Sequence, residues 1–102
     1  MISYLGTASD RVPEIFVSSP STVVVLEGQA EARLKCFFSG RPTPNVSWRR
    51  VGGMNRGNRE NYDTELVLKN VKKSDEGEYR CWGRNSRGAS EEVTIFVDVQ
   101  GN

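Results

Sequence analysis

Lys73-Ser74-Asp75-Glu76-Gly77-Glu78-Tyr79-Arg80-Cys81 is the stretch on which the reading of the whole chain turns. Its first half is a charged turn. Its second half alternates, with Tyr79 and Cys81 in one phase and Arg80 and Trp82 in the other. A period of two over a short run marks a half-buried strand. Gly77 suits the tight turn that leads into it. The Asp75 carboxylate can accept hydrogen bonds that fix that turn. If the Tyr79 ring is buried, its hydroxyl needs a partner, and the backbone near Asp75 is the expected one.

The same alternation recurs on both sides of this stretch. Val23 and Val25 alternate up to Glu27-Gly28; Ala30, Ala32, Leu34, Cys36 and Phe38 alternate with Glu31, Arg33, Lys35 and Phe37. Val46 and Trp48 alternate with Ser47 and Arg49, Leu66 and Leu68 with Val67 and Lys69, and Val93, Ile95, Val97 and Val99 with Thr94, Phe96 and Asp98. Turn signals separate these runs at Glu27-Gly28, Gly40-Arg41-Pro42-Thr43-Pro44, Gly52-Gly53 and Asn85 to Gly88. No segment keeps a helical period for three turns. Short strands with regular turns predict an all-β chain built as an antiparallel sandwich or barrel.

Three residues select among the sandwiches. Cys36 and Cys81 stand on two well-separated strands, both in the inward phase, and Trp48 follows Cys36 by 12 residues, also inward. Tyr79 stands two residues before Cys81. A cysteine on each of two strands, a tryptophan on a third and a tyrosine at that offset are the core of the immunoglobulin fold.

The chain resembles an I-set immunoglobulin domain. The matching features are Leu26-Glu27-Gly28-Gln29, Leu34-Lys35-Cys36, Gly40-Arg41-Pro42-Thr43-Pro44, Trp48, Leu66-Val67-Leu68, Val71, Asp75 to Cys81, Asn85, Gly88 and the final strand. Within that set it is similar to the third immunoglobulin domain of neural adhesion molecules of the neurofascin, neuroglian and contactin type, on Arg41-Pro42-Thr43-Pro44, Glu60-Asn61-Tyr62 and Glu76 to Cys81. The resemblance implies two antiparallel sheets joined by a Cys36–Cys81 bridge packed on Trp48. Leu34, Leu68, Asp75 and Tyr79 are then core markers. It places the domain at 13–99, with 1–12 a linker or an expression-derived segment and 100–102 a linker stub. The short, Asn/Gly/Arg-rich segment from Val51 to Asp63 fits abbreviated middle strands. The chain reads as a fragment of a larger protein.

Composition narrows the function. The 102 residues suffice for one core. At 36% hydrophobic and 26% charged, the chain has the balance of an ordinary globular domain. No apolar run approaches the roughly 20 residues that span a bilayer, and the first residues lack the pattern of a signal peptide. A net charge of +1 with both signs mixed supports neither nucleic-acid binding nor a membrane-surface role. There is no histidine, so the commonest general base and metal ligand is missing, and two cysteines alone cannot make a four-ligand zinc site. The carboxylates sit in charged turns. The expectation is a protein that is not an enzyme and uses neither cofactor nor metal.

Compartment decides between two roles. A bridged Cys36–Cys81 pair means an extracellular domain, stabilised by roughly 4 kcal/mol through closure of the loop between them. A reduced pair would be two buried hydrophobes, as in intracellular muscle domains of the same set. The first case is an adhesion or receptor module at the cell surface, binding neighbouring immunoglobulin domains and a homophilic or heterophilic partner. The second is a spacer of a sarcomeric or cytoskeletal protein. The presence of cysteine at both bridge positions and nowhere else favours the first.

Three surface features bear on it. Asn45-Val46-Ser47 is an N-glycosylation acceptor triplet, with Asn45 in the outward phase. Arg49, Arg50, Arg56, Arg59, Arg80 and Arg84 can gather into a basic face suited to sulfated glycans, which Glu60, Glu65, Glu78, Glu91 and Glu92 can neutralise. Finally, inward Tyr79 and Cys81 leave Arg80, Trp82 and Arg84 outward, and inward Val93, Ile95 and Val97 leave Phe96 outward. With Arg49 these form a candidate partner-binding surface, since aromatics ringed by arginines have hot-spot composition. The competing reading is an arginine stacked on Trp82 as a local cation–π pair.

Overall fold

The computed structural model describes residues 10–52 and 59–101, with the side chains of 59–62 left out of the description. Among these residues the strands are β1 (Arg11–Ser18), β2 (Thr22–Leu26), β3 (Glu31–Arg41), β4 (Asn45–Arg50), β5 (Arg59–Tyr62), β6 (Glu65–Lys69), β7 (Gly77–Asn85), β8 (Gly88–Ala89) and β9 (Val93–Gln100), with one 3₁₀ turn at Lys73–Asp75. One sheet runs β2-β9-β7-β4, with β8 on β7; the other runs β1-β3-β6-β5. This is the immunoglobulin-like sandwich that the positions of Cys36, Trp48, Tyr79 and Cys81 predict.

The pairs are antiparallel apart from β2 with β9, which is parallel. The cause lies at Ser19-Pro20-Ser21, where the chain changes sheets. The Ser19 amide still donates to the Lys35 carbonyl of the first sheet at 2.9 Å, while the Ser21 carbonyl already accepts from Phe96 of the second at 2.8 Å. Pro20 between them has no N–H to lose from a ladder.

Leu34, Cys36, Leu66, Leu68, Tyr79, Cys81, Ile95, Val97 and Val99 are wholly buried, and Trp48 is 8% exposed. The Cys36–Cys81 disulfide ties β3 of one sheet to β7 of the other. Trp48 lies directly opposite Cys81 in the β4–β7 register, which puts the indole beside the bridge. Its Nε1 donates to the Asp63 carbonyl at 3.1 Å, so the one polar atom of a buried ring is satisfied.

Three details depart from the sequence reading. Val67, in the outward phase, is also fully buried. It lies opposite Arg33 and between Glu65 and Lys69, and Arg33 bridges Glu31 and Glu65 at 2.6 Å each, so the stems of paired charges cover it. Ala30, expected as the first inward position of β3, is exposed in the turn before it. The strands run from Arg11 to Gln100, so Arg11 and Val12 at one end and Gln100 at the other are strand where linker was expected. Residues 1–9 of that expected linker lie outside the described residues.

Candidate functional site

The corner that leads into β7 is built as its residues dictate. The Tyr79 hydroxyl donates to the Asp75 carbonyl at 2.6 Å, and both residues are buried. The Asp75 Oδ2 accepts from the Lys72 amide at 2.8 Å, closing the 3₁₀ turn. Gly77 sits at φ 151°, and a Cβ there would lie 3.2 Å from the Arg50 guanidinium. Arg50 is thus withdrawn from the expected basic face. It is two residues beyond inward Trp48 and shares its phase; its guanidinium stacks over the Tyr79 ring at 5.5 Å, and its Nη2 donates to the Glu76 carbonyl at 2.6 Å.

Arg49, Arg80 and Arg84 stay on the outer face of the β2-β9-β7-β4 sheet. Arg49 lies opposite Arg80, Ser47 opposite Trp82, and Asn45 opposite Arg84 across β4 and β7; Phe96 lies opposite Glu78 across β9 and β7. All five residues of the candidate surface therefore share one face. They do not form one cluster: Trp82 is four positions along β7 from the residue facing Phe96, about 13 Å away.

An ion network fills the gap. Arg49 Nη2 meets Glu92 Oε1 at 3.0 Å, Arg80 Nη1 meets the same oxygen at 3.2 Å, and Arg80 Nη2 meets Glu78 Oε2 at 2.6 Å. The hydrogen bonds from Arg49 and then Arg80 hold the Glu92 carboxyl below its ordinary pKa. Glu78 and Glu92 thereby neutralise the centre of the expected basic face. Arg56 and the Arg59 side chain lie outside the described residues. Among the described residues the cation–π contact is that of Arg50 on Tyr79, and none is made by an arginine on Trp82.

Beside the network the face carries exposed apolar side chains set among polar ones. Phe96 is 40% exposed, and Val24 and Leu26 of β2 are 62% and 54% exposed. Val24 lies opposite Asp98 and is the diagonal neighbour of Phe96, while Leu26, opposite Gln100, continues the same outer face two positions further along β2. The sequence reading missed these two. Their phase, opposite to inward Val23 and Val25, was the available signal; the parallel docking of β2 on β9 was not. A second apolar group lies on the other sheet, where Val17 faces Phe37 and Phe16, at a register shift in β1, is 75% exposed.

Asn45 and Ser47 are exposed at the start of β4. Among the described residues no group of His, Cys, Asp and Glu side chains is arranged to hold a metal ion, and no helix is long and apolar enough to cross a membrane.

Comparison with known proteins places this geometry. The immunoglobulin-domain family profile matches residues 12–85. The chain is 37% identical over 91 residues to the neural cell adhesion molecule L1-like protein of Homo sapiens, covering 85% of the chain and 8% of that protein. It is 37% identical over 98 residues to lachesin of Schistocerca americana, covering 88% of the chain and 26% of that protein. The chain thus spans a small part of the length of these relatives. Among solved structures, the tandem Ig repeats of Dlar superpose with a TM-score of 0.74 at 28% identity, over 88% of this chain and 49% of that one.

Proposed function

Because the chain belongs to the immunoglobulin-domain family, we propose that it is a non-catalytic protein-recognition module of a cell-surface adhesion molecule or receptor ectodomain. It works outside the cell, beside further immunoglobulin domains. The kinship to a neural cell adhesion molecule supports the setting, and the Cys36–Cys81 bridge supports the compartment. The observation that carries the recognition role is the outer face of the β2-β9-β7-β4 sheet. There Phe96, Val24 and Leu26 stand exposed on the same face as Arg80 and Arg49, with Trp82 and Arg84 at the far end. Exposed apolar side chains set among arginines and other polar groups have the composition of a protein interface. The partner class is another protein domain, a second copy included. A sulfated glycan fits the face less well, because Arg49 and Arg80 already bind Glu92 and Glu78.

The compartment is tested on the natural protein by alkylating it denatured and unreduced. Neither Cys36 nor Cys81 takes up label if the domain works outside the cell. Two labelled thiols would return it to the role of intracellular spacer.

A further inference from the structure

Asn45 opens β4 on the same outer face as Trp82, and the register sets how near they are. Asn45 faces Arg84 and Ser47 faces Trp82. Trp82 is therefore the diagonal neighbour of Asn45, at about 7–8 Å. The start of β4 is held firmly: the Val46 amide donates to Asp63 Oδ1 at 3.0 Å and Trp48 Nε1 to the Asp63 carbonyl at 3.1 Å. Asn45 and Ser47, the two ends of the acceptor triplet, are exposed, and Trp82 is half-buried.

The indole has no cation stacked on it among the described residues. Its face carries the negative side of the ring quadrupole, which suits the weakly positive C–H face of a sugar ring. Arg84 is exposed beside it and offers guanidinium donors to sugar hydroxyls and to an acetamide carbonyl. A half-buried tryptophan in an otherwise polar corner thus has a covering group one diagonal cross-strand step away.

We infer that Asn45 carries an N-linked glycan whose first N-acetylglucosamine packs on Trp82 with Arg84 alongside, closing this end of the face to protein partners. Contact with a partner is then confined to the end formed by Phe96, Val24 and Leu26. Trp82 and Arg84, candidate partner residues by sequence, become sugar-facing residues. The inference rests on the reading that the domain works outside the cell.

The test uses the chain secreted from eukaryotic cells behind an added signal peptide. Intact mass should fall on glycosidase treatment, and the Asn45→Gln and Ser47→Ala forms should lack the sugar from the start. The nuclear magnetic resonance spectrum should show Overhauser contacts between the N-acetyl methyl and the Trp82 indole, with the methyl signal displaced upfield by the ring. In Trp82→Leu the displacement should vanish; the contacts in the unsubstituted protein stand even if that variant does not fold. A missing mass shift, or a methyl without contact to the indole, overturns the inference. Either result with the disulfide intact leaves the recognition reading standing, whereas free thiols in the natural protein would remove that reading itself.

Discussion

The Tyr79 hydroxyl and the Asp75 carbonyl, four residues apart in sequence, meet at 2.6 Å inside the core. The bond fixes the turn that delivers Cys81 to its bridge and Arg80 to the outer face. Tyr79→Phe leaves the ring in place and removes this bond from a buried carbonyl, which costs about 1–2 kcal/mol. Denaturant unfolding should show the midpoint lowered with the slope unchanged. An unchanged midpoint would contradict the role given to this bond.

Gly83 is held to glycine by crowding across the sandwich. A Cβ there would lie 2.9 Å from Phe38 Cγ and 3.1 Å from Pro13 Cβ, side chains of the opposing sheet. Gly83→Ala should destabilise by roughly 1–3 kcal/mol through overpacking. The pair Gly83→Ala with Phe38→Leu should cost less than the sum of the two single changes, measured by thermal unfolding. Strict additivity would show that the contact does not limit the site.

Acid should loosen the pole where the chain leaves the fold. The Glu76 carboxylate accepts from the Val99 amide at 2.9 Å and from Lys73 Nζ at 3.1 Å, and these bonds hold its pKa below the ordinary value. A depressed folded pKa means stability that is present above the ordinary glutamate pKa of about 4.3. It is lost as pH falls through the folded value. Glu92 acts in the same direction. With no histidine in the chain, the unfolding midpoint should stay nearly level between about pH 5.5 and 7.5 and drop below about pH 4.5. Glu76→Gln should flatten part of that drop. A drop of unchanged size in the variant would remove Glu76 from the account.

The core was legible because alternation carries its own phase. Leu34, Cys36, Trp48, Leu68, Tyr79 and Cys81 each fall inward where the period of two puts them. What escaped depended on tertiary placement. Nothing local to Thr22–Leu26 says that it docks parallel on β9, so Val24 and Leu26 were not joined to Phe96. Val67 is buried by ion-paired stems from a neighbouring strand, a cover invisible to periodicity. Arg50 shows the opposite failure. Its phase pointed inward, but its charge suggested the surface; the Tyr79 ring and the Glu76 carbonyl reconcile the two.

The recognition role is tested most directly by binding with the two apolar groups separated. The chain is displayed as tetramers on beads. Its self-aggregation is measured, together with its capture by cells bearing neural adhesion ectodomains, for the unsubstituted form, Phe96→Arg, Leu26→Glu and Phe16→Glu. Thermal unfolding is recorded for each to establish that the fold is kept. Phe96 and Leu26 lie on the outer face of the β2-β9-β7-β4 sheet, whereas Phe16 lies on β1 of the other sheet. Expected are binding by the unsubstituted chain, at least tenfold loss in Phe96→Arg and Leu26→Glu, roughly 1.4 kcal/mol or more, and binding retained in Phe16→Glu. Loss in Phe16→Glu with binding kept in the other two would contradict the recognition role of this face, as would a folded chain that binds neither itself nor any of those ectodomains.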